Sequence, residues 1–269
     1  MDELFKLDKL DIGYDTKIVN NISLTIGEKE LIAFLSPNNC GKTTLIKTLS
    51  GVIHSKDGLI YIEGNQLTKR NFKKYIRKVV VVFEDINNQF ICEKVDDELK
   101  FPLIHLACKY NDIKARVREV AHFLGIEDKL DKNIRDLTLL DKAKVSIGVA
   151  IMHKPKLLLV DDIFKTLLPK DKEIVMDILK LLIVNYGMSV LFTTSDLNDC
   201  IGLNKIYVIG DKKIILHGSY EEILESDNEL SKAGIELPIM IDLSRKLQFY
   251  KLIDEIYYDE DKVVDALWK

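Results

Sequence analysis

The stretch Ser36-Pro37-Asn38-Asn39-Cys40-Gly41-Lys42-Thr43-Thr44 carries the residue types that hold a polyphosphate. It follows a short continuous apolar run, Glu30-Leu31-Ile32-Ala33-Phe34-Leu35, which reads as a fully buried strand. It precedes a segment that reads as a helix from near Gly41 to near Gly51. Backbone N–H groups at such a helix start can hold phosphate oxygens. Lys42 can reach the β- and γ-phosphates, and the Thr43 hydroxyl can ligate Mg²⁺. The general pattern is G-x-x-x-x-G-K-[ST], and Ser36 stands where its first glycine belongs. Gly-Lys-Thr-Thr is short enough to occur by chance. The loop alone therefore leaves a second reading open, a helix N-terminus with an exposed lysine.

A second feature lies far along the chain. Leu157-Leu158-Leu159-Val160 leads straight into Asp161-Asp162. A carboxylate at a buried strand end can support the Mg²⁺ of a bound nucleotide, though a carboxylate pair can also cap an ordinary turn. The two features together, in this order and separation, favour the nucleotide reading.

The elements that must position these residues are legible as a pattern. Residues 4–26 alternate apolar and polar side chains and predict short, half-buried strands. Further strands are predicted at 59–64, 79–83, 156–160 and 189–193, with two more around Gly210-Asp211 in 205–217. An amphipathic helix is predicted over about 170–186. The segment from about 92 to 152 has apolar residues at helical spacing, such as Val117, Val120, Ala121 and Leu124, and reads as an inserted helical subdomain. Strands separated by helical stretches imply parallel pairing and an α/β core.

Composition excludes other classes. The 269 residues are 47% hydrophobic and 30% charged, as in a globular protein. No apolar run reaches the length of a membrane span, and Met1-Asp2-Glu3-Leu4-Phe5 lacks a signal-peptide pattern. Cys40, Cys92, Cys108 and Cys200 are scattered, without a CxxC pair, so neither a disulfide framework nor a zinc site is indicated and a reducing cytoplasm fits. A net charge of −4 gives no general attraction to nucleic acid. Glycine is scarce: 13 residues, where usual frequencies give roughly 19.

With these residues in place, the chain resembles the ATP-binding cassette family over nearly its whole length. The stretch Val82-Phe83-Glu84-Asp85-Ile86-Asn87-Asn88-Gln89-Phe90 is similar to the Q-loop of the energy-coupling factor ATPases, subunits of vitamin and metal-ion importers. Gly234-Ile235-Glu236-Leu237-Pro238 resembles the start of their C-terminal region. The resemblance implies a P-loop cassette fold: a mostly parallel core sheet, an antiparallel β subdomain, the inserted helical subdomain and a small C-terminal region. Residues 1–227 would form the cassette and 228–269 the C-terminal helical region. It also implies ATP and Mg²⁺ as ligands, with Tyr14 stacking on adenine and Ser36, Asn38, Asn39, Cys40, Gly41, Lys42, Thr43 and Thr44 forming the phosphate loop. Thr43, Asp161 and Glu84 would hold the metal. A second ATPase subunit, a sibling or a second copy, and a transmembrane transporter protein would be the partners, with the chain on the cytoplasmic face of the membrane and not inserted in it. A coupling helix of that transporter would dock near Gln89 to Phe101.

The departures from the family are specific. Glu84 replaces the Q-loop glutamine, Asp162 the water-activating glutamate, Ser195 the switch histidine and Leu168 the D-loop aspartate. The catalytic positions are therefore Asp162, Ser195 and Glu84, each altered. Asp162 sets its carboxylate back by about 1.5 Å relative to a glutamate. The signature Leu-Ser-Gly-Gly-Gln is Leu137-Thr138-Leu139-Leu140-Asp141, in which two leucines would obstruct a partner's phosphate. Ser36, Asn39, Leu139 and Leu140 all stand where the family has glycine. The expected function is an importer ATP-binding subunit with impaired hydrolysis, or a catalytically inactive pseudo-ATPase that binds nucleotide as a structural or regulatory module. An unrelated kinase or GTPase lacks support, because Asn204-Lys205-Ile206-Tyr207 is not a guanine-specificity motif.

Overall fold

A computed structural model describes residues 3–14, 16–257 and 260–268. The N-terminal part forms a four-stranded antiparallel sheet. Its strands are β1 (Glu3–Gly13), β2 (Lys17–Gly27), β4 (Asp57–Ile62) and β5 (Asn65–Gln66), in the order β2-β1-β4-β5. The sequence pattern suggested several short strands over 4–26; two 11-residue strands are found. Their pairing register shifts on either side of Leu10, and Lys9 and Asn21 take positive φ values of 48° and 52°. These irregularities break the strict alternation, so each long strand reads as fragments.

The second sheet holds β3 (Leu31–Leu35), β6 (Val79–Val82), β7 (Leu157–Val160), β8 (Ser189–Thr194), β9 (Ile206–Gly210) and β10 (Lys213–Gly218). The order is β10-β9-β3-β8-β7-β6, parallel throughout except for the antiparallel β9–β10 edge. Both faces of this sheet are covered, which is why its strands are continuous apolar runs. Ile32, Phe34, Leu157, Leu159 and Leu191 pack toward the antiparallel sheet and α1 (Lys42–Leu49). Ala33, Leu35, Leu158, Val160, Val190 and Phe192 pack into the helical side.

Between β4 and β6 lies the short α2 (Phe72–Tyr75), which the sequence pattern did not reveal. The insert before β7 comprises α3 (Val95–His105), α4 (Tyr110–Leu124) and α5 (Leu139–Ile151). α6 (Pro169–Tyr186) connects β7 to β8, with Pro169 at its first turn and Gly187 closing it in a left-handed conformation. The chain ends in α7 (Tyr220–Leu224), α8 (Asp227–Lys232), α9 (Ile239–Phe249) and α10 (Glu260–Leu267). Leu230, Ile235 and Ile241 of this end share the core of the helical side. Gly234 takes φ 76°, and a Cβ there would lie 3.7 Å from Cγ of Pro37. The C-terminal segment therefore runs close to the phosphate loop.

Candidate functional site

The carboxyl ends of β3, β6, β7 and β8 point the same way, and open α/β sheets bind ligands at such an edge. The loop after β3 turns at Asn39, whose φ is 63°, and at Gly41, whose φ is 95°. Asparagine tolerates this conformation, which is why it can replace a glycine at 39. Gly41 cannot be replaced in the same way: a Cβ would stand 2.8 Å from Ile18 and 2.9 Å from Val19. Helix α1 then begins at Lys42 with no side-chain cap and no acidic residue in its first turn. Its N-terminal N–H groups are left for an anion.

Lys42 is not the exposed lysine of the bland reading. It is 5% exposed and donates from Nζ to the carbonyl oxygens of Ser36 at 2.9 Å and Pro37 at 3.3 Å. Its third partner is the Asp162 carboxylate at 3.2 Å. Ser36 is wholly buried, and its N–H donates to the Thr194 carbonyl.

Asp161 and Asp162 are set by strand register. Val160 pairs with Phe192, so Thr193 on β8 comes level with Asp161. The Thr193 hydroxyl donates to Oδ1 of Asp161 at 2.9 Å and accepts from the Asp162 N–H at 2.9 Å. Oδ2 of Asp161 is buried and has no hydrogen-bond partner. Burial pushes the Asp161 carboxyl above its usual range; the nearby Thr43 and Thr193 hydroxyls oppose this, and Asp162 and Glu84 add to it. Burial also raises Asp162, against the pull of Lys42. Asp162 holds a left-handed backbone at φ 47°, uncommon for a residue with a side chain.

A cavity of about 280 Å³ joins these parts, bordered by Ile18 beside Gly41 and by Glu84, Asp162 and Lys165 toward the strand ends. Asn38, Asn39, Lys42, Thr43 and Thr44 complete it. Glu84 is ion-paired with Lys165 at 2.7 Å. Tyr14, Ser36, Cys40, Asp161 and Ser195 are not among its lining residues; Asp161 is wholly buried behind Thr43. Tyr14 is half exposed after β1, and Ser195 follows β8, where the neighbouring Asp196 caps the turn at Leu197. A larger groove of about 700 Å³ runs along α6 and holds no phosphate-loop residue; Lys172 there pairs with Asp196 and Asp199.

The donor set fits a magnesium nucleotide. Oδ2 of Asp161 is a buried oxygen without a hydrogen-bond partner, and hard cations take such ligands. Thr43 lies beside it, and Thr43 and Glu84 both border the cavity. Among the described residues no group of three or more His, Cys, Asp and Glu side chains could hold a metal alone. That is in keeping with Mg²⁺, which binds through one or two carboxylates plus substrate phosphates.

The signature segment differs. Thr138 caps α5 by accepting from the Asp141 N–H at 3.1 Å, and its hydroxyl donates to the Asp141 carboxylate at 3.0 Å. One N–H of this helix start is closed by the Thr138 side chain, and the Asp141 carboxylate gives the start a negative charge. Leu139 is exposed, as expected of an obstruction, but Leu140 packs against the core. Leu139 is the more exposed of the two, and Leu140 is half-buried. Gln89 accepts from the Phe83 N–H and donates to the Phe83 carbonyl, so it clasps its own loop.

Sequence reading missed Thr193 and Lys165. A threonine closing an apolar strand run was the available signal for the first; no motif marks the second.

A parallel sheet with a phosphate cavity at its strand ends, an antiparallel sheet beside it and an inserted helical unit define a P-loop nucleotide-binding cassette. The chain belongs to the ABC transporter family, whose model matches residues 19–165, more than half its length. It is 28% identical over 252 residues to an energy-coupling factor transporter ATP-binding protein, EcfA1, of Streptococcus thermophilus, covering 93% of this chain and 91% of that one. The EcfA1 of Mycoplasmopsis synoviae is 26% identical over 264 residues, covering 97% and 98%. The fold matches the solved structure of CbiO1 from Clostridium perfringens, part of the ABC transporter complex CbiONQ, with a TM-score of 0.78 at 23% identity, over 88% of this chain and 97% of that chain. No described helix is long and apolar enough to cross a membrane.

Proposed function

We propose that this chain is the ATP-binding subunit of an energy-coupling factor type importer for a vitamin or metal ion. It binds Mg-ATP, closes against a second ATPase subunit and passes that motion to a transmembrane partner, with slow intrinsic hydrolysis. The observation that carries the reading is the uncapped start of α1 opening on a cavity that Lys42, Thr43, Glu84 and Asp162 line, with the unsatisfied Oδ2 of Asp161 buried just behind Thr43. Likeness to the EcfA1 proteins supports the transporter type. The partner would place the chain at the cytoplasmic face of the membrane. Ile91, two-thirds exposed before α3, is available to a docking helix there.

Bound Mg²⁺ supplies charge neutralisation at the phosphates. The chain's own residues do the rest. Lys42 and the α1 N–H groups would orient the phosphates, and Asp161 and Thr43 would hold the metal. Asp162 is the group nearest the role of orienting water, but its carboxylate is engaged by Lys42. Ser195 offers a short, uncharged hydroxyl. In phosphoryl transfer the protein contributes mainly positioning and charge, so each loss should lower the rate steeply.

The closed start of α5 favours a second reading for one of the two sites of a pair, a nucleotide held without hydrolysis. Steady-state turnover tests the impairment that both readings share. The purified chain alone should bind Mg-ATP and turn it over far more slowly than the roughly 1–1000 s⁻¹ of ordinary enzymes. Turnover equal to such an enzyme would defeat the claim of impairment, and absence of binding would defeat the whole assignment.

A further inference from the structure

Lys165 sits on the short helical turn Ile163–Thr166, directly after Asp162. It borders the phosphate cavity together with Lys42. The two lysines are held in opposite ways. Lys42 is buried and fixed by two carbonyls and Asp162. Lys165 is half exposed, and the carboxylate it meets, Glu84, is also half exposed. Such a pair is weak and screened by salt.

The charges at this end of the cavity are unusual. By resemblance, the position of Glu84 is an uncharged glutamine and that of Ser195 a histidine. One negative charge has been gained and one phosphate-contacting group lost. Lys165 supplies a positive charge at the same place, on the turn that follows the metal-binding aspartate. A terminal phosphate carries more charge than one carboxylate and offers more acceptor oxygens, so it competes well for an ammonium held only by an exposed pair.

We propose that Lys165 is a second phosphate-binding cation. Its ammonium leaves Glu84 for the outermost phosphate of ATP and makes, from within this chain, a contact that Ser195 is too short to make. The proposal rests on the reading of the cavity as an ATP site.

The test compares MgATP and MgADP affinities of the full chain by calorimetry for the wild type, Lys165→Met, Lys165→Arg and Glu84→Gln. Lys165→Met should weaken MgATP about tenfold or more and leave MgADP within about twofold. Lys165→Arg should recover most of the loss, and Glu84→Gln should tighten MgATP by freeing the lysine. Equal losses for both nucleotides, or no loss for either, would overturn the proposal while leaving the ATP site standing. A wild type that binds neither nucleotide would overturn both. The exposure of Lys165 makes loss of the fold on substitution a minor concern, and circular dichroism of each variant checks it.

Discussion

Asp161 is costly to keep in the nucleotide-free protein. It is fully buried, one oxygen lacks a partner, and its carboxyl is raised above the ordinary aspartate value of 3.8. A carboxyl raised in the folded state binds its proton more tightly there than in the unfolded chain. Its favourable contribution is fully present below pH 3.8 and is lost as pH rises through the folded-state value. Asp161→Asn should therefore raise the melting temperature of the nucleotide-free protein near neutral pH, and that advantage should shrink as the pH is lowered toward 3.8. The same variant should lose the Mg²⁺-dependent part of ATP binding, because only the ionised carboxylate ligates the metal. Thermal melts over a pH series and nucleotide titration with and without Mg²⁺ check both halves. The sequence marked Asp161 as a candidate, since a carboxylate ends a run of four apolar residues, although such a pair can also cap a turn. It did not show that Asp162 is tied to Lys42, nor that Thr193 holds both, because those contacts depend on strand register between β7 and β8.

At the scale of elements, the starts of α1 and α5 divide the work. α1 begins uncapped beside the cavity, and α5 begins with Thr138 and Asp141 bonded to each other and to the backbone. Thr138→Ala removes the cap and should cost about 1 kcal/mol of stability in urea unfolding, the usual loss for an N-cap threonine. The insert was legible as helices because its apolar residues recur at helical spacing. α2 escaped notice because four residues are too few to show a period. The 11-residue strands β1 and β2 escaped for the opposite reason, since bulges shift their inward face partway along.

On the scale of the whole molecule, one continuous core joins the insert, the helical side of the parallel sheet and the chain's C-terminal part. Leu99, Val120, Val145, Phe192, Leu230 and Ile241 all belong to it. Elements that share a core should unfold together. Calorimetry should record a single transition, and Mg-ATP at a hundred times its Kd should stabilise the protein by about 2.7 kcal/mol. A split transition, with only one part shifted by nucleotide, would mean that the insert or the C-terminal segment melts independently. The parallel sheet was readable from buried strands alternating with helical stretches. The sharing of one core between distant segments was not, because apolar periodicity reports that a face is covered and not by what.

The closed start of α5 also bears on stoichiometry. Cassette subunits that pair head to tail set each phosphate loop against the other's signature segment. A complete subunit facing this chain would meet a helix end already occupied by Thr138 and Asp141. The nucleotide on that subunit's own loop would be retained from one cycle to the next, more like a fixture than a substrate. Transport driven by such a pair would consume at most one ATP per cycle.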